Sequence, residues 1–305
     1  MARSIRYLTT DIISHLCFGH PFGFVKSHTD VYGFIYTLES RLSIVENFSV
    51  IVELNRMLGR ISYIPCIKRF LLLQPTDTYG LGKIIGISWR VVEELFTPNT
   101  PIKKDILGSF LKHGISREQA ESGITISLFA RSDTTSSSLR GTLLHVATFP
   151  RVYTRLREEL SGASMANAIS TPITNQEATT LPYLQACIRE GLRIFSPITL
   201  FRERVVHHNG DTILGHFVPA NTNVGINMTG MLLDDVFGLD PDMFHPERWF
   251  EKEISKLRKM EQVQDLVFGY GGTRCLKVRI ANMTLNKAIV EVRSIVIKSA
   301  ILHRS

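Results

Sequence analysis

The stretch FGYGGTRCLKVRIA, Phe268 to Ala281, sets one cysteine behind three glycines and ahead of what reads as a helix start. Glycines at 269, 271 and 272 permit a backbone that turns tightly and comes close to something flat. A helix N-terminus just beyond Cys275 favours negative charge on its sulphur. A thiolate so placed is a metal ligand or a nucleophile. No Gly-Lys-Ser/Thr follows, so the loop does not match a phosphate cradle, and no papain-like or caspase-like signature surrounds it. The other cysteines, Cys17, Cys66 and Cys187, lack this setting and read as small buried hydrophobes.

Outward from that loop, composition narrows the field. The chain has 305 residues, 44% hydrophobic and 21% charged, enough to bury a sizeable core. Its net charge of +7 is scattered, with no dense basic run interleaved with aromatics, which argues against nucleic-acid binding. Four cysteines far apart, with no CxxC pair, argue against a structural zinc site or a disulfide framework and point to a reducing compartment. Arg3, Arg6 and Asp11 interrupt the N-terminal stretch, which therefore reads as neither a signal peptide nor a membrane segment.

Periodicity predicts a single, mainly α domain over 1–305 with a small β-sheet. The first hundred residues have helical spacing, broken at HPFGF and FTPNTP. A long helix is expected from the capping box Ser116/Gln119 to Pro150. A connection rich in Ser, Ala, Asn and Thr then runs from Ser161 to Thr180. Pro182 opens a second helix, which Ser196-Pro197 stops. From Arg202 to Asn227 β-branched residues dominate, giving the only clear sheet, with Asn209-Gly210 as a hairpin turn signal. Helical spacing returns from Ile280 almost to Ser305.

Three further stretches give the loop its context: ARSDTT at 130–135, EGLR at 190–193 and FHPERW at 244–249. With FGYGGTRC they resemble, in order and rough spacing, the motifs of the cytochrome P450 monooxygenases. The segments YLTTDIISHLCFGHPFGF and GHFVPANTNVGIN resemble the fungal secondary-metabolism branch that includes the pisatin demethylase type. The resemblance covers nearly the whole chain and implies a partial cytochrome P450 fold around haem, with Cys275 as proximal thiolate ligand to the iron. It sets Phe268 and Arg274 in the haem loop and Arg204 at the strand arginine that pairs with a haem propionate. Thr134 falls at the oxygen-activating threonine and Asp133 at the acid that feeds it protons. Composition alone reads SDTTSSS as a polar helix face, on which a hydroxyl can bond back to a carbonyl and open the helix. Glu190 and Arg193 share a helix face and would otherwise read as a solvated ion pair; the resemblance buries them with Arg248 in a structural network. The implied partners are a small apolar metabolite and an NADPH-dependent reductase.

The sequence also departs from that pattern. Arg131 stands where the long helix usually has glycine, Lys277 replaces a glycine after the cysteine, and Thr273 replaces a propionate-binding His or Arg. The resemblance further implies a chain that starts after the family's anchor and N-terminal part, with the endoplasmic-reticulum association of full-length members, and that stops before their last hairpin. Two functions stay open at this point: a haem-thiolate monooxygenase, or a catalytically inactive remnant that holds haem weakly or not at all.

Overall fold

The computed structural model describes residues 2–40, 57, 74–97, 105–199 and 203–302, with the side chains of residues 131 and 293–302 left out. Cys66 and part of FTPNTP lie outside the described residues, as does the side chain of Arg131. The chain divides into two compact units, Met1–Ser136 and Ser137–Ser305. As expected it is mainly helical.

In the first unit, helix α1 (Ala2–Phe18) packs on α5 (Arg117–Ser132), as does α3 (Gly80–Leu95). The short α2 (Phe24–Ser27) folds against α1, and α4 (Ile106–Lys112) packs on both α1 and α5. Their apolar faces meet in one core that includes Ile13, Phe24, Phe34, Ile84, Leu107 and Ile124. The break at HPFGF is held by Asp11, whose carboxylate accepts from the N–H groups of Gly23, Phe24 and Val25. An N-terminal turn with no helical partners for its amides is thereby satisfied.

The capping box forms as the sequence predicts: Ser116 accepts from the Gln119 amide and Gln119 from the Ser116 amide. The long helix to Pro150 does not. It is two helices, α5 and α6 (Thr134–Thr148), parted at Asp133. Hydroxyls cause the break by competing with the backbone ladder. Thr134 donates to the Ala130 carbonyl at 2.8 Å and Ser136 to the Asp133 carbonyl at 2.9 Å, while Thr9 of α1 donates to the Ser132 carbonyl at 3.1 Å.

In the second unit, α7 (Pro150–Met165) runs further than expected, into the 161–180 connection. That connection also holds a short helix, α8 (Asn175–Thr179), started by a second capping box between Thr174 and Glu177. Helix α9 (Pro182–Ile194) is where Pro182 and Ser196 put it, and it is the hub: α7, α8, α11 (Ile254–Asp265) and α12 (Val278–Leu302) all pack on it. A Cβ at Gly191 of α9 would stand 2.1 Å from the Thr142 hydroxyl, so glycine lets α6 and α9 approach closely there.

The β part is two antiparallel pairs rather than one sheet. Strand β1 (Arg204–Val205) pairs with β4 (Asn223–Val224), and β2 (Asp211–Ile213) with β3 (His216–Val218). Asn209-Gly210 does form a turn, with Gly210 N–H bonded to the His207 carbonyl, but it leads into β2. The β2–β3 hairpin closes instead at Leu214-Gly215, both at positive φ, 51° and 82°. Positive φ at both central residues matches the right-handed twist of the flanking strands. A short α10 (Met228–Leu232) then leads toward α11.

Candidate functional site

The cysteine loop, Phe268 to Cys275, is built by its own backbone. After the turn Leu266–Phe268, Gly269 takes φ 80°, which only glycine adopts freely, and Gly271 takes φ 63°. The chain curls back so that Cys275 N–H donates to the Phe268 carbonyl at 2.7 Å and Arg274 N–H to the Gly271 carbonyl at 3.1 Å. Phe268 and Cys275 are thus tied across the six loop residues between them. Cys275 is exposed, whereas Cys17 and Cys187 are buried. A Cβ at Gly271 or Gly272 would meet nothing within 4 Å, and Tyr270 and Leu276 are 82% and 97% exposed. The loop therefore presents a thiol and two apolar side chains on an open surface.

Arg204, far away in sequence, comes to this loop. Its Nη2 donates to Thr273 Oγ1 at 2.6 Å, and its Nη1 to the Glu203 carbonyl at 2.8 Å. Arg274 turns elsewhere, with Nη2 3.7 Å from Asp265. A soft sulphur ligand and a guanidinium able to meet a carboxylate are thereby placed on one loop system. Among the described residues, no group of three or more His, Cys, Asp or Glu side chains is gathered as if for a bare metal ion.

The second unit also holds a buried ionic network. Glu190 and Arg193 on α9 are both wholly buried, joined at 3.0 and 2.8 Å. Arg248, from the turn Pro246–Phe250, adds a third bond to Glu190 at 2.9 Å. The carboxylate also accepts from Trp249 Nε1 at 3.0 Å and from the His245 amide at 2.9 Å. Arg193 spends its remaining donors on the carbonyls of Leu232, Pro241 and Met243. Arg248 binds those of Phe237, Asp240 and Met243. A buried charge is tolerated when every lone pair and proton finds a partner, and here the partners come from the whole segment 232–249. Sequence reasoning missed Trp249, although it directly follows Arg248 in the quoted FHPERW.

Asp133 and Thr134 belong to the first unit, at the break between α5 and α6. The Asp133 carboxylate meets Arg6 of α1 at 2.7 Å, and Arg6 also pairs with Glu39. Nothing in the sequence pointed to Arg6, which lies 127 residues from its partner.

A family model for Cytochrome P450 matches residues 1–292. Over 293 residues the chain is 36% identical to a cytochrome P450 monooxygenase, ABA1, of Pyricularia oryzae, covering 95% of this chain and 56% of that relative. It is 34% identical over 296 residues to aba1 of Botryotinia fuckeliana, 94% of this chain and 56% of the relative. It is 32% identical over 286 residues to abl1 of Leptosphaeria maculans, 93% and 50%. The chain spans about half the length of the curated relatives it matches.

Proposed function

We propose a function from one premise: the chain belongs to the cytochrome P450 family, whose cofactor is a haem ligated through cysteine. The relatives named above are fungal cytochrome P450 monooxygenases. We read this chain as carrying the haem-thiolate half of such an enzyme, which inserts one oxygen atom from O2 into a small apolar metabolite. Electrons come from an NADPH-dependent reductase, at the endoplasmic-reticulum membrane where the family commonly works. Among the described residues no helix is long and apolar enough to cross a membrane.

The residues present fit the cofactor. A porphyrin supplies four nitrogens of its own, so one protein thiolate suffices to hold the iron, and its two carboxylates call for cations. Cys275 offers the exposed thiol and Arg204 the cation, on a loop whose glycines leave open space above them. When bound, that group supplies the activation of dioxygen. The chain's own residues do the rest. Cys275 would ligate the iron, its backbone anchored to Phe268. Arg204 would hold a propionate. Thr134, donating to the Ala130 carbonyl, and Asp133, held by Arg6, would hold and pass a proton at Thr134 Oγ1. The Glu190–Arg193–Arg248 network would keep the segment before the loop in place and take no part in the chemistry.

The observation that carries this reading is the Cys275 loop, closed on Phe268 and left exposed. The test is the ferrous-CO absorption spectrum of the purified chain with added haem. A thiolate-type Soret band is expected, lost in Cys275→Ser and kept in Cys187→Ser; the reverse pattern would overturn the assignment. A second reading, a family member that binds haem without turning over, is favoured by the commitment of Asp133 to Arg6. A reconstituted assay with reductase and NADPH separates the two: tightly coupled hydroxylation of a defined metabolite by this chain would eliminate the second.

A further inference from the structure

We propose that Thr273 is a positioning residue for Arg204, fixing the guanidinium that meets a haem carboxylate. The inference rests on the haem reading above and deepens it. By residue type, Thr273 is a lost cation two positions before Cys275. The geometry gives it a different task.

Both its proton and one of its lone pairs are engaged by the protein. Thr273 Oγ1 donates to the Tyr270 carbonyl at 3.2 Å and accepts from Arg204 Nη2 at 2.6 Å. A hydroxyl has one proton, and here the loop's own backbone takes it, so Thr273 has nothing left to donate to an anion. What it does is fasten the arginine of strand β1 to the cysteine loop, across 69 residues of sequence. The second tether, from Nη1 to the Glu203 carbonyl at 2.8 Å, holds the other arm. Two of a guanidinium's five N–H donors are used in these contacts, which leaves three for a planar carboxylate.

Neighbouring Arg274 does not share the task, since its guanidinium lies by Asp265. Arg204 is exposed and long, and without the Thr273 contact only the bond to its neighbour's carbonyl would restrain the head group, so more of its ordering would fall to the ligand. The hydroxyl prepays that ordering.

The test is haem titration, followed by Soret absorbance, of the wild-type chain, Thr273→Val and Thr273→Ser. Each is titrated with haem and with haem dimethyl ester, whose propionates carry no charge. Thr273→Val should weaken haem binding about three- to tenfold, the worth of one hydrogen bond, and Thr273→Ser should stay within about twofold of wild type. With the diester, all three proteins should bind alike. Equal losses with haem and diester would mean a general structural role and overturn the proposal, as would no loss with haem. An Arg204→Gln background gives an independent check: there Thr273→Val should cost nothing more, and a full further loss overturns the inference. If the wild-type chain shows no Soret band, the haem reading fails and this inference with it. A wild-type band with an unaffected Thr273→Val sinks the inference alone.

Discussion

Glu190→Ala should be among the most damaging single changes in the second unit. The carboxylate accepts five hydrogen bonds: two from Arg193, and one each from Arg248, Trp249 and the His245 amide. Removing it leaves one guanidinium fully buried and a second nearly so, with side-chain exposures of 0% and 7% and no counter-charge. Breaking a buried pair in this way costs about 3–5 kcal/mol. The chain offers its own control in the pair Arg117–Glu121, four residues apart on α5 at 2.8 Å with the arginine about half exposed, where Glu121→Ala should cost about 0.3–0.5 kcal/mol. Urea unfolding followed by circular dichroism reads both. At a slope of about 2–3 kcal/mol per molar, Glu190→Ala should lower the midpoint by roughly 1–2.5 M and Glu121→Ala by no more than about 0.25 M. Glu190→Gln, which keeps the shape and loses the charge, should fall between. Equal midpoint shifts for Glu190→Ala and Glu121→Ala would refute the claim that the network is buried and indispensable.

Other expectations are simpler to read. Gly191→Ala should destabilise by about 1–3 kcal/mol, because its methyl would be driven into the buried Thr142 side chain where α6 and α9 meet; an unchanged melting curve would show that the helices can part without cost. Ser116→Ala removes the Gln119 cap at the start of α5 and should cost about 1 kcal/mol, measurable in the same urea titrations. The Glu177 carboxyl is held down to about 2, first by the Thr174 backbone amide and next by the Ser170 hydroxyl. A depressed carboxyl stabilises the fold above its unfolded value of about 4.3, and that contribution fades as pH falls toward about 2. Carbon-detected NMR titration should show this, with Ser170→Ala moving the value upward; no movement would mean that the hydroxyl contact is not formed.

Much of the site was legible because its signals are local. The turn into the cysteine loop needs positive φ, and glycine at 269 and 271 announces it. A capping box spans three residues, so Ser116 and Gln119 could be paired on paper, and Glu190 with Arg193 is a one-turn spacing. Pro182 marks the start of α9 because its ring suits a first helical turn. Backbone geometry and a neighbour within one helical turn decide these features, and both are written in adjacent residues.

Other features depended on what packs alongside. Whether α5 and α6 run as one helix or two turned on hydroxyls competing for carbonyls, one of them supplied by Thr9 from another helix. Strands two residues long carry too little periodicity to show their partners, so the pairing of β1 with β4 across the intervening β2–β3 hairpin is seen only in the fold. By itself the sequence determined the family motifs, the thiol that stands ready in the loop and the helix faces that bury the core. Only the tertiary structure decided that Arg6 holds Asp133, that Trp249 completes the Glu190 network, and that Arg204 is fastened by Thr273. A hydrogen bond selects whichever donor and acceptor the packed chain brings within about 3 Å, and distance along the sequence places no limit on that choice.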